Sequence, residues 1–485
     1  MRKFLKRTLF CSVFVLSLLS GCSKKERISF PDYTPFDPSA YRALEEDGYK
    51  LIDFYTLNDF HGAVEFTPDE NKPGISRMAQ YLIDRRSENP GGTIFLAAGD
   101  MWQGSADSNL TKGELMVDEL NYIGFSAFTV GNHEFDWTID QIKINKNKST
   151  HPFLGANIVN KGTTKRVDWL DASTLIERDG VKIGIIGTIG SSLESTVQAS
   201  LIADIDFDVI TDYVVTEASQ LRENGAEIVV LNTHDSLLNG NYEYDEIINN
   251  KIVDAIFCGH QHVHDRQIQN GIPILQTTGL GRGIQYVRFA YKENELVLKD
   301  YRVDSVLSIN PTIKPEPIAE QIYKYHLQDV EEIKNEVVGR IKNGPMKIEA
   351  IGNLTVRAMV EAVPGAVGAM HNVRGGIRAE LPNGKVTYGD IYKSLPFDNE
   401  IIIMELTGSQ LKGLIGSPNS NNANYFTINI NDIDNTGRYK VLTISYLYER
   451  DYQDTYNGEV TATYARDAVS NYFKKYNTID VKEYL

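Results

Sequence analysis

Residues 125–136 of the chain are FSAFTVGNHEFD, an apolar run that stops at Gly131 and is followed by Asn132, His133 and Asp136. Four other apolar runs end in the same way, and the residues that follow them are Asp59 and His61 after 51–57, Asp100 after 93–98, His234 after 228–231, and His260 and His262 after 255–258. A sixth run, 182–186, is followed only by Gly, Thr and Ile, so the pattern is selective. Ligands of α/β sheets bind beyond the carboxyl ends of the strands. The pattern therefore predicts an α/β layer fold with one polar site.

The residue types at these strand ends are those that bind divalent metals. Seven candidates are present: Asp59, His61, Asp100, Asn132, His234, His260 and His262. Carboxylates, imidazoles and an amide oxygen suit borderline and hard metals such as Zn²⁺ or Mn²⁺. Seven ligands suit two divalent ions if one carboxylate is shared, as in two-metal hydrolases. Asp100 follows a middle strand, so we expect it to be the shared ligand.

The order D-x-H, G-D, G-N-H-E, H and G-H-x-H over residues 59–262 resembles the calcineurin-like metallophosphoesterases. More narrowly, GNHEFD at 131–136 and the C-terminal region resemble the 5′-nucleotidase family, which includes UDP-sugar hydrolases and cyclic-nucleotide phosphodiesterases. The resemblance covers roughly residues 49–454. It implies a four-layer α/β metallophosphoesterase domain with a second, smaller α/β substrate-binding domain.

The resemblance also implies a role for each residue of the site. One metal would be bound by Asp59, His61, Asp100 and His262, and the other by Asp100, Asn132, His234 and His260. A metal-bound water would be the nucleophile, because metal binding lowers its pKa from about 15.7 to about 7. His133 would be the catalytic histidine and Asp136 would orient it, an arrangement that suits general acid catalysis.

Substrate-binding residues are implied in the second domain. Residues 372–378 (NVRGGIR) resemble a glycine- and arginine-containing phosphate segment, and residues 385–398 resemble the segment with the family's base-stacking phenylalanine. The predicted contacts are Asn372, Arg374, Arg378, Phe397 and Tyr446. Two departures are visible: Asn372 lies one residue farther from Gly375 than usual, and the G-G-D-G expected after 439–441 is absent. Tyr446 would replace the family's second aromatic residue, and Arg374 alone fits a surface salt bridge equally well.

The first 21 residues predict export. Arg2, Lys3, Lys6 and Arg7 precede an apolar stretch at 9–19 that is short for a bilayer span but typical of a signal peptide. The sequence LLSGC at 18–22 resembles a bacterial lipobox, which favours cleavage before Cys22 and its lipidation over an ordinary secretory signal or a membrane anchor. We therefore expect an exported protein, lipid-anchored to the cell membrane or outer membrane.

Charge and cysteine content exclude other classes of protein. The 65 acidic residues exceed the 49 basic ones and give a net charge of −16, which argues against binding polymeric nucleic acid. Positive charge for an anionic substrate must be local, from metal ions or a few arginines. Three cysteines exclude a disulfide scaffold, and Cys258, at the end of an apolar run, is expected to be a buried inert thiol. His151, His264, His326 and His371 are expected to be ordinary surface or core residues, with support of a metal ligand as an alternative for His264.

The predicted organisation has five segments: a signal peptide at 1–21, a tether at 22–48, a metallophosphoesterase domain at 49–310, a linker at 311–344 with a helix at 315–342, and a substrate domain at 345–485. The predicted activity is metal-dependent hydrolysis of 5′-nucleotides or related small phosphate esters. A cyclic-nucleotide phosphodiesterase, a UDP-sugar diphosphatase and a non-catalytic surface binding protein remain alternatives, although the complete ligand set argues against the last. Nothing in the sequence indicates an oligomeric state.

A Cys22→Ser variant tests the anchor. Because acylation needs the thiol, the variant should remain uncleaved or become soluble, and its partition into the detergent phase should fall. Phase separation in Triton X-114, with wild type as the control, measures this. A processed variant that still partitions into detergent would exclude the lipoprotein interpretation.

Overall fold

A computed structural model describes residues 27–237 and 242–485. The predicted signal peptide and Cys22 lie outside these residues. Among the helices in the two described ranges, none is both long and apolar enough to cross a bilayer.

The first domain contains fifteen strands among the described residues: β1 (Glu45–Glu46), β2 (Tyr49–Leu57), β3 (Thr93–Ala98), β4 (Ala127–Thr129), β5 (Phe153–Leu154), β6 (Ile158–Asn160), β7 (Ser173–Arg178), β8 (Val181–Ile189), β9 (Ile205–Phe207), β10 (Ile228–His234), β11 (Ala255–Phe257), β12 (Asp265–Gln269), β13 (Ile272–Gln276), β14 (Ile284–Lys292) and β15 (Glu295–Asp304). Its helices are α1 (Gly74–Glu88), α2 (Ala106–Asn109), α3 (Glu114–Ile123), α4 (Ile139–Lys148), α5 (Thr211–Glu223), α6 (Asp245–Asn249), α7 (Val306–Ile309) and α8 (Pro317–Lys334).

Two large sheets pack face to face in this domain. One has the order β15-β14-β2-β3-β4-β5, with β1 also paired to β2, and the other has the order β12-β13-β11-β10-β8-β7. Buried side chains from both sheets, including Phe54, Ile183 and Phe257, form one core between them. Helices α1 and α3 cover the outer face of the first sheet, and α5 and α6 cover that of the second. The predicted four-layer arrangement is therefore confirmed.

Parallel pairing brings the predicted strand ends to one edge. Strands β2, β3 and β4 run parallel in the first sheet, and β8, β10 and β11 run parallel in the second. The polar residues that follow these strands consequently leave the two sheets on the same side, as the sequence pattern predicts.

The second domain is a smaller α/β unit. Its elements are β16 (Val337–Lys342), α9 (Ile348–Ala362), β17 (Ala366–Asn372), β18 (Gly384–Thr387), α10 (Tyr388–Ser394), β19 (Glu400–Thr407), α11 (Gly408–Gly416), β20 (Asn422–Phe426), β21 (Arg438–Ile444), α12 (Ser445–Leu447), β22 (Gly458–Tyr464), α13 (Ala465–Tyr476) and β23 (Thr478–Asp480). A five-stranded sheet has the order β20-β17-β21-β19-β22, and a three-stranded sheet has the order β18-β16-β23. Helices α9 and α13 contribute to their common core.

The predicted linker helix is too long. Helix α8 ends at Lys334, and residues 337–342 form β16, which pairs with β18 and β23. Val338 and Ile341 are buried in the second domain, so the apolar residues that seemed to continue the helix belong to a strand. Helix α8 itself packs on the first domain, where His326 Nε2 lies 2.8 Å from Asp118 and the Tyr323 hydroxyl donates to Asp107 at 2.8 Å.

The predicted tether is not free over its described part, residues 27–48. Ile28 exchanges two hydrogen bonds with Gln328 of α8, at 3.0 and 3.1 Å. Phe30 packs edge-on against Tyr325, with ring centroids 5.2 Å apart, and β1 pairs with β2. These apolar and hydrogen-bonding contacts make the segment part of the first domain, which its proline-rich, polar composition did not indicate.

Candidate active site

The loops that hold the site have an unusual backbone. Five of the seven predicted ligands have positive φ, a conformation that is uncommon for residues other than glycine: Asp59, His61, Asp100, His260 and His262, with φ between 50° and 75°. Such conformations persist only where the surroundings impose them, and they cluster at functional sites. The sharp turns aim the side chains back across the ends of the strands.

One group of ligand atoms comes from Asp59, His61 and His262. The His262 Nε2 atom lies 3.2 Å from Asp59 Oδ1 and 3.0 Å from His61 Nε2. His61 Nδ1 donates to the backbone oxygen of Gln103 at 2.7 Å, which leaves its Nε2 lone pair free to bind a cation. Burial lowers the pKa of His61 to about 3, so the imidazole is neutral at physiological pH.

A second group comes from Asp100, His234 and His260, with Asn132 between the two histidines. Asn132 Oδ1 lies 3.1 Å from His234 Nε2 and 3.1 Å from His260 Nδ1. His234 Nδ1 donates to the Ala98 carbonyl at 2.8 Å, so in the neutral ring Nε2 carries a lone pair that can bind a cation.

Asp100 lies between the two groups. Its Oδ2 is 3.1 Å from His234 Nε2 and 3.8 Å from His61 Nε2. Burial acts to raise the pKa of Asp100, but the imidazoles of His234 and His133 hold it well below its usual range. The carboxylate is therefore charged and available to both groups.

The donor set fits two divalent cations. Buried lone pairs of imidazoles, carboxylates and an amide face one another at hydrogen-bond distance, an arrangement that a positive charge must stabilise. One cation would be held by Asp59, His61, Asp100 and His262, and the other by Asp100, Asn132, His234 and His260. The geometry thus brings together all seven predicted ligands in two groups.

His133 and Asp136 lie on a short 3₁₀ helix, Asn132–Trp137, beside the second group. His133 Nδ1 donates to Asp136 Oδ2 at 2.9 Å. Burial acts to lower the pKa of His133, but the carboxylates of Asp136 and Asp100 outweigh burial and raise it. On the other edge of the ring, Arg378 of the second domain donates to Nε2 at 3.2 Å.

Glu134 is a buried residue of the same turn to which the sequence assigned no role. Its carboxylate accepts hydrogen bonds from the backbone N–H groups of Asp100, Met101 and Gly131, at 2.8, 2.9 and 2.7 Å. Burial, together with the Asp100 carboxylate, raises its pKa to about 7. Glu134 thus joins the loop after β3 to the loop after β4. Its position in the GNHE motif is the sequence feature from which this role could have been predicted.

The predicted substrate residues meet at one cavity between the domains. Asn132, His133, Asp136 and His260 form one wall, and Asn372, Arg374, Arg378, Phe397 and Tyr446 form much of the other. The Phe397 ring lies 5.5 Å from the His133 ring, centroid to centroid, and the Arg378 guanidinium is 5.3 Å from the Phe397 ring. Arg374 is exposed and forms no salt bridge with any described residue, so the surface-pair alternative finds no support.

Comparison with known proteins decides the family. Residues 52–264 match the family model of the calcineurin-like phosphoesterases, and residues 333–427 match that of the 5′-nucleotidase C-terminal domain. Together the two matches cover more than half of the chain. The chain belongs to the calcineurin-like phosphoesterases with a 5′-nucleotidase C-terminal domain. The predicted family is confirmed, and with it the prediction of a phosphoester hydrolase.

Relatives of this phosphoesterase share most of its length. Endonuclease YhcR of Bacillus subtilis is 28% identical over 430 residues, which cover 81% of this chain and 35% of that protein. Protein UshA of Yersinia enterocolitica is 24% identical over 432 residues, 78% of each chain. The chain thus spans about a third of the first relative and most of the second.

A solved structure shows the same fold. The crystal structure of a 5′-nucleotidase precursor from Thermus thermophilus superposes with a TM-score of 0.71, over 88% of this chain and 97% of that one. The two sequences are 18% identical, so this likeness concerns the architecture.

Further residues of the phosphoesterase line the cavity without having been predicted. Gln198 and Asn399 face it from the two domains, and Arg450 faces it from a π-helical turn at 448–452. In the same turn, Glu449 accepts hydrogen bonds from the backbone and hydroxyl of Ser200, both at 2.8 Å. This turn follows the region where the family's G-G-D-G is missing, and only the folded structure shows its contact with the first domain.

The remaining histidines and Cys258 are predicted to be structural, and all of them except His264 are buried. His151 is buried against Phe125, Phe128 and Phe153, and Cys258 is buried with its thiol pKa well above the usual value because of burial. His371 is buried, whereas His264 is exposed.

Asp100→Asn tests the shared ligand. The amide is isosteric but uncharged, so we expect loss of bound metal and of nearly all turnover with the fold retained. Metal content by mass spectrometry, alongside circular dichroism, measures this. A variant that retains both metal equivalents would exclude Asp100 as a ligand.

His133→Ala should behave differently. His133 lies outside both ligand groups, so metal content should equal that of wild type while turnover falls by about 10²–10⁴, the usual contribution of a general acid. The paired measurements are metal content and kcat with nitrophenyl phosphate. Loss of metal comparable to that of Asp100→Asn would contradict this division of roles.

Proposed function

We propose that this chain hydrolyses 5′-nucleotides to nucleosides and phosphate, with two divalent ions such as Zn²⁺ or Mn²⁺ bound by the seven ligands. One observation supports this most directly: a single cavity joins His133 and two members of the second ligand group, Asn132 and His260, to three arginines and two aromatic rings. A nucleotide offers matching chemistry, an anionic phosphate at one end and a flat base at the other.

Phosphate recognition is assigned to Arg378 and Arg374. Guanidinium groups bind phosphate through paired N–H donors, and Arg378 lies close enough to donate to His133. Asn372 lines the same wall, and its buried Oδ1 has no hydrogen-bond partner among the described residues. This acceptor is suited to a substrate hydroxyl.

Base recognition is assigned to Phe397 and Tyr446. Both rings line the cavity, and Arg450 extends over Tyr446 with its guanidinium 5.2 Å from the ring centroid. Stacking on such side chains tolerates any base, because every base has a π-face. Although the G-G-D-G segment is absent, the two aromatic side chains that would contact a base are present in the cavity.

The proton for the leaving oxygen is assigned to His133. Arginine has no acceptor, so Arg378 donates to His133 Nε2, which is then unprotonated, while Nδ1–H faces Asp136. A phosphate that binds Arg378 releases Nε2, which takes up a proton from solvent and donates it to the leaving oxygen, while Asp136 stabilises the positive charge of the protonated ring. The divalent ions, when bound, polarise the phosphoryl oxygens and lower the pKa of the attacking water.

The proposed location is outside the cytoplasm, with Cys22 as the lipid-bearing residue. This rests on the signal-like sequence of residues 1–22. Together, anchor and activity describe a surface enzyme that releases nucleosides from nucleotides before uptake.

A substrate panel tests the activity. AMP, cyclic AMP, UDP-glucose and nitrophenyl phosphate are incubated with metal-loaded protein, and products are identified by chromatography. Release of adenosine and phosphate from AMP is expected. Preference for cyclic AMP or UDP-glucose would favour the phosphodiesterase or diphosphatase alternative, and protein without bound metal and without turnover would favour a binding protein.

Phe397→Ala tests base recognition. Stacking contributes ~1–3 kcal/mol per base, and 1.36 kcal/mol corresponds to about tenfold, so kcat/KM for AMP should fall about 5- to 150-fold. Nitrophenyl phosphate has no base to select, so its efficiency should fall much less. Phe66→Ala, at an exposed phenylalanine away from the cavity, is the matched control. An unchanged ratio of the two efficiencies would mean that the second domain does not select the base.

A further inference from the structure

A second cavity reaches the first ligand group, at His61 and His262. It has a volume of about 470 Å³ and is lined, among others, by Lys72, Gln103, Arg282 and Lys393. The first three residues come from loops of the phosphoesterase domain, and Lys393 comes from α10 of the second domain. Arg378 lines both cavities, so they meet beside the reacting centre.

The cavity is positively charged. Lys72, Arg282 and Lys393 surround one carboxylate, Glu70: Lys72 forms an ion pair with it, and Lys393 Nζ lies 3.4 Å from Oε1. Among the described residues, Arg282 donates only to the backbone oxygen of Glu70, at 3.1 Å. The local excess of positive charge stands out in a chain with a net charge of −16.

The other carboxylate that lines the cavity does not reverse this balance. Glu380 is paired with Lys347, whose Nζ lies 2.7 Å from each carboxylate oxygen. The charge of Glu380 is therefore neutralised by Lys347, which is not one of the three cations.

Burial of the Lys72 ammonium group in the wall of this cavity is energetically unfavourable. Its exposed fraction is 8%, and buried lysines are rare unless they are fully paired. Burial lowers the pKa of Lys72, and the neighbouring Lys393 and Arg282 lower it further against the effect of Glu70. An anion in the cavity would relieve this repulsion.

Gln103 provides an independent observation. The residue lines the cavity, and its backbone oxygen accepts a hydrogen bond from His61. Its side chain is 2% exposed, and the buried Nε2 has no hydrogen-bond partner among the described residues. Buried donors are nearly always paired. A donor left open beside three cations points to a ligand that is both anionic and rich in acceptors.

We propose that this cavity is an anion subsite that binds a second phosphate group next to the reacting one. The inference rests on the proposed function, because the reacting phosphate must occupy the centre between the two cavities. Lysine serves as a point charge for phosphate and arginine as a paired donor. The phosphate can belong to a substrate, as the next phosphate of a nucleoside diphosphate, or it can be free inorganic phosphate.

The test uses the double variant Arg282→Met/Lys393→Met, which removes two cations and leaves the Lys72–Glu70 pair intact. The matched control is Arg438→Met/Lys440→Met, at an exposed arginine and an exposed lysine of β21, away from both cavities. Thermal unfolding of the metal-loaded proteins confirms that both fold. Efficiencies for AMP and ADP are measured, as is inhibition of nitrophenyl phosphate hydrolysis by inorganic phosphate.

The two sources of phosphate give different results. If the subsite holds the second phosphate of a substrate, efficiency for ADP should fall about tenfold more than for AMP, since a charged hydrogen bond is lost. If it holds free phosphate, the inhibition constant for phosphate should rise about tenfold with the ADP/AMP ratio unchanged. The control should change neither.

The inference is overturned if the double variant matches wild type in both the ADP/AMP ratio and the inhibition constant. Failure of the proposed function looks different, because wild type itself would then not release adenosine from AMP. Inhibition by phosphate is measured with nitrophenyl phosphate, so that arm decides the subsite in either case.

Discussion

Two buried carboxylates govern the architecture of the first domain. Asp59 and Asp100 are at most 1% exposed, and burial of a charge is tolerated only when opposite charge or strong donors compensate it. The loops supply that compensation by turning sharply through left-handed conformations, so that imidazoles from both sheets surround the acids. The loops therefore approach each other closely. A Cβ atom at position 131 would lie 2.3 Å from Asp100 Oδ1, so glycine is the residue that fits there.

The site belongs to both domains because polar contacts hold them together around it. Asn109 donates to the backbone oxygen of Pro396 at 3.0 Å, and Lys112 pairs with Asp398 at 2.8 Å. These contacts flank Phe397 and fix its ring beside His133. The first domain provides the ligands and the histidine, and the second provides the arginine that contacts that histidine. A substrate in this cavity would therefore contact both domains at once.

Covalent adjacency explains what the sequence could predict. A ligand that directly follows an apolar strand must lie at the end of that strand, so the seven ligands and the α/β class follow from local pattern, whereas the four layers were implied by the family resemblance. The cavity around Gln103 and Lys72 could not be predicted in this way. Its walls come from segments some 300 residues apart in sequence, which meet only in the folded chain. The overlong linker helix has a related cause: Val337 fits the apolar spacing of the preceding helix, but pairing of residues 337–342 with β18 and β23 decides for a strand.

If Cys22 bears the proposed lipid, the attachment of residues 27–30 to helix α8 limits how far the enzyme can stand from a membrane. Ile28 is held by Gln328, and Arg27 pairs with Asp329, so only the five peptide units between Cys22 and Arg27 separate the proposed acyl group from the folded body. Five residues reach at most about 17 Å. An enzyme attached by so short a segment cannot sweep freely through the surrounding solution. It would instead meet substrates within a thin layer above the lipid, with one face of the molecule turned toward the bilayer.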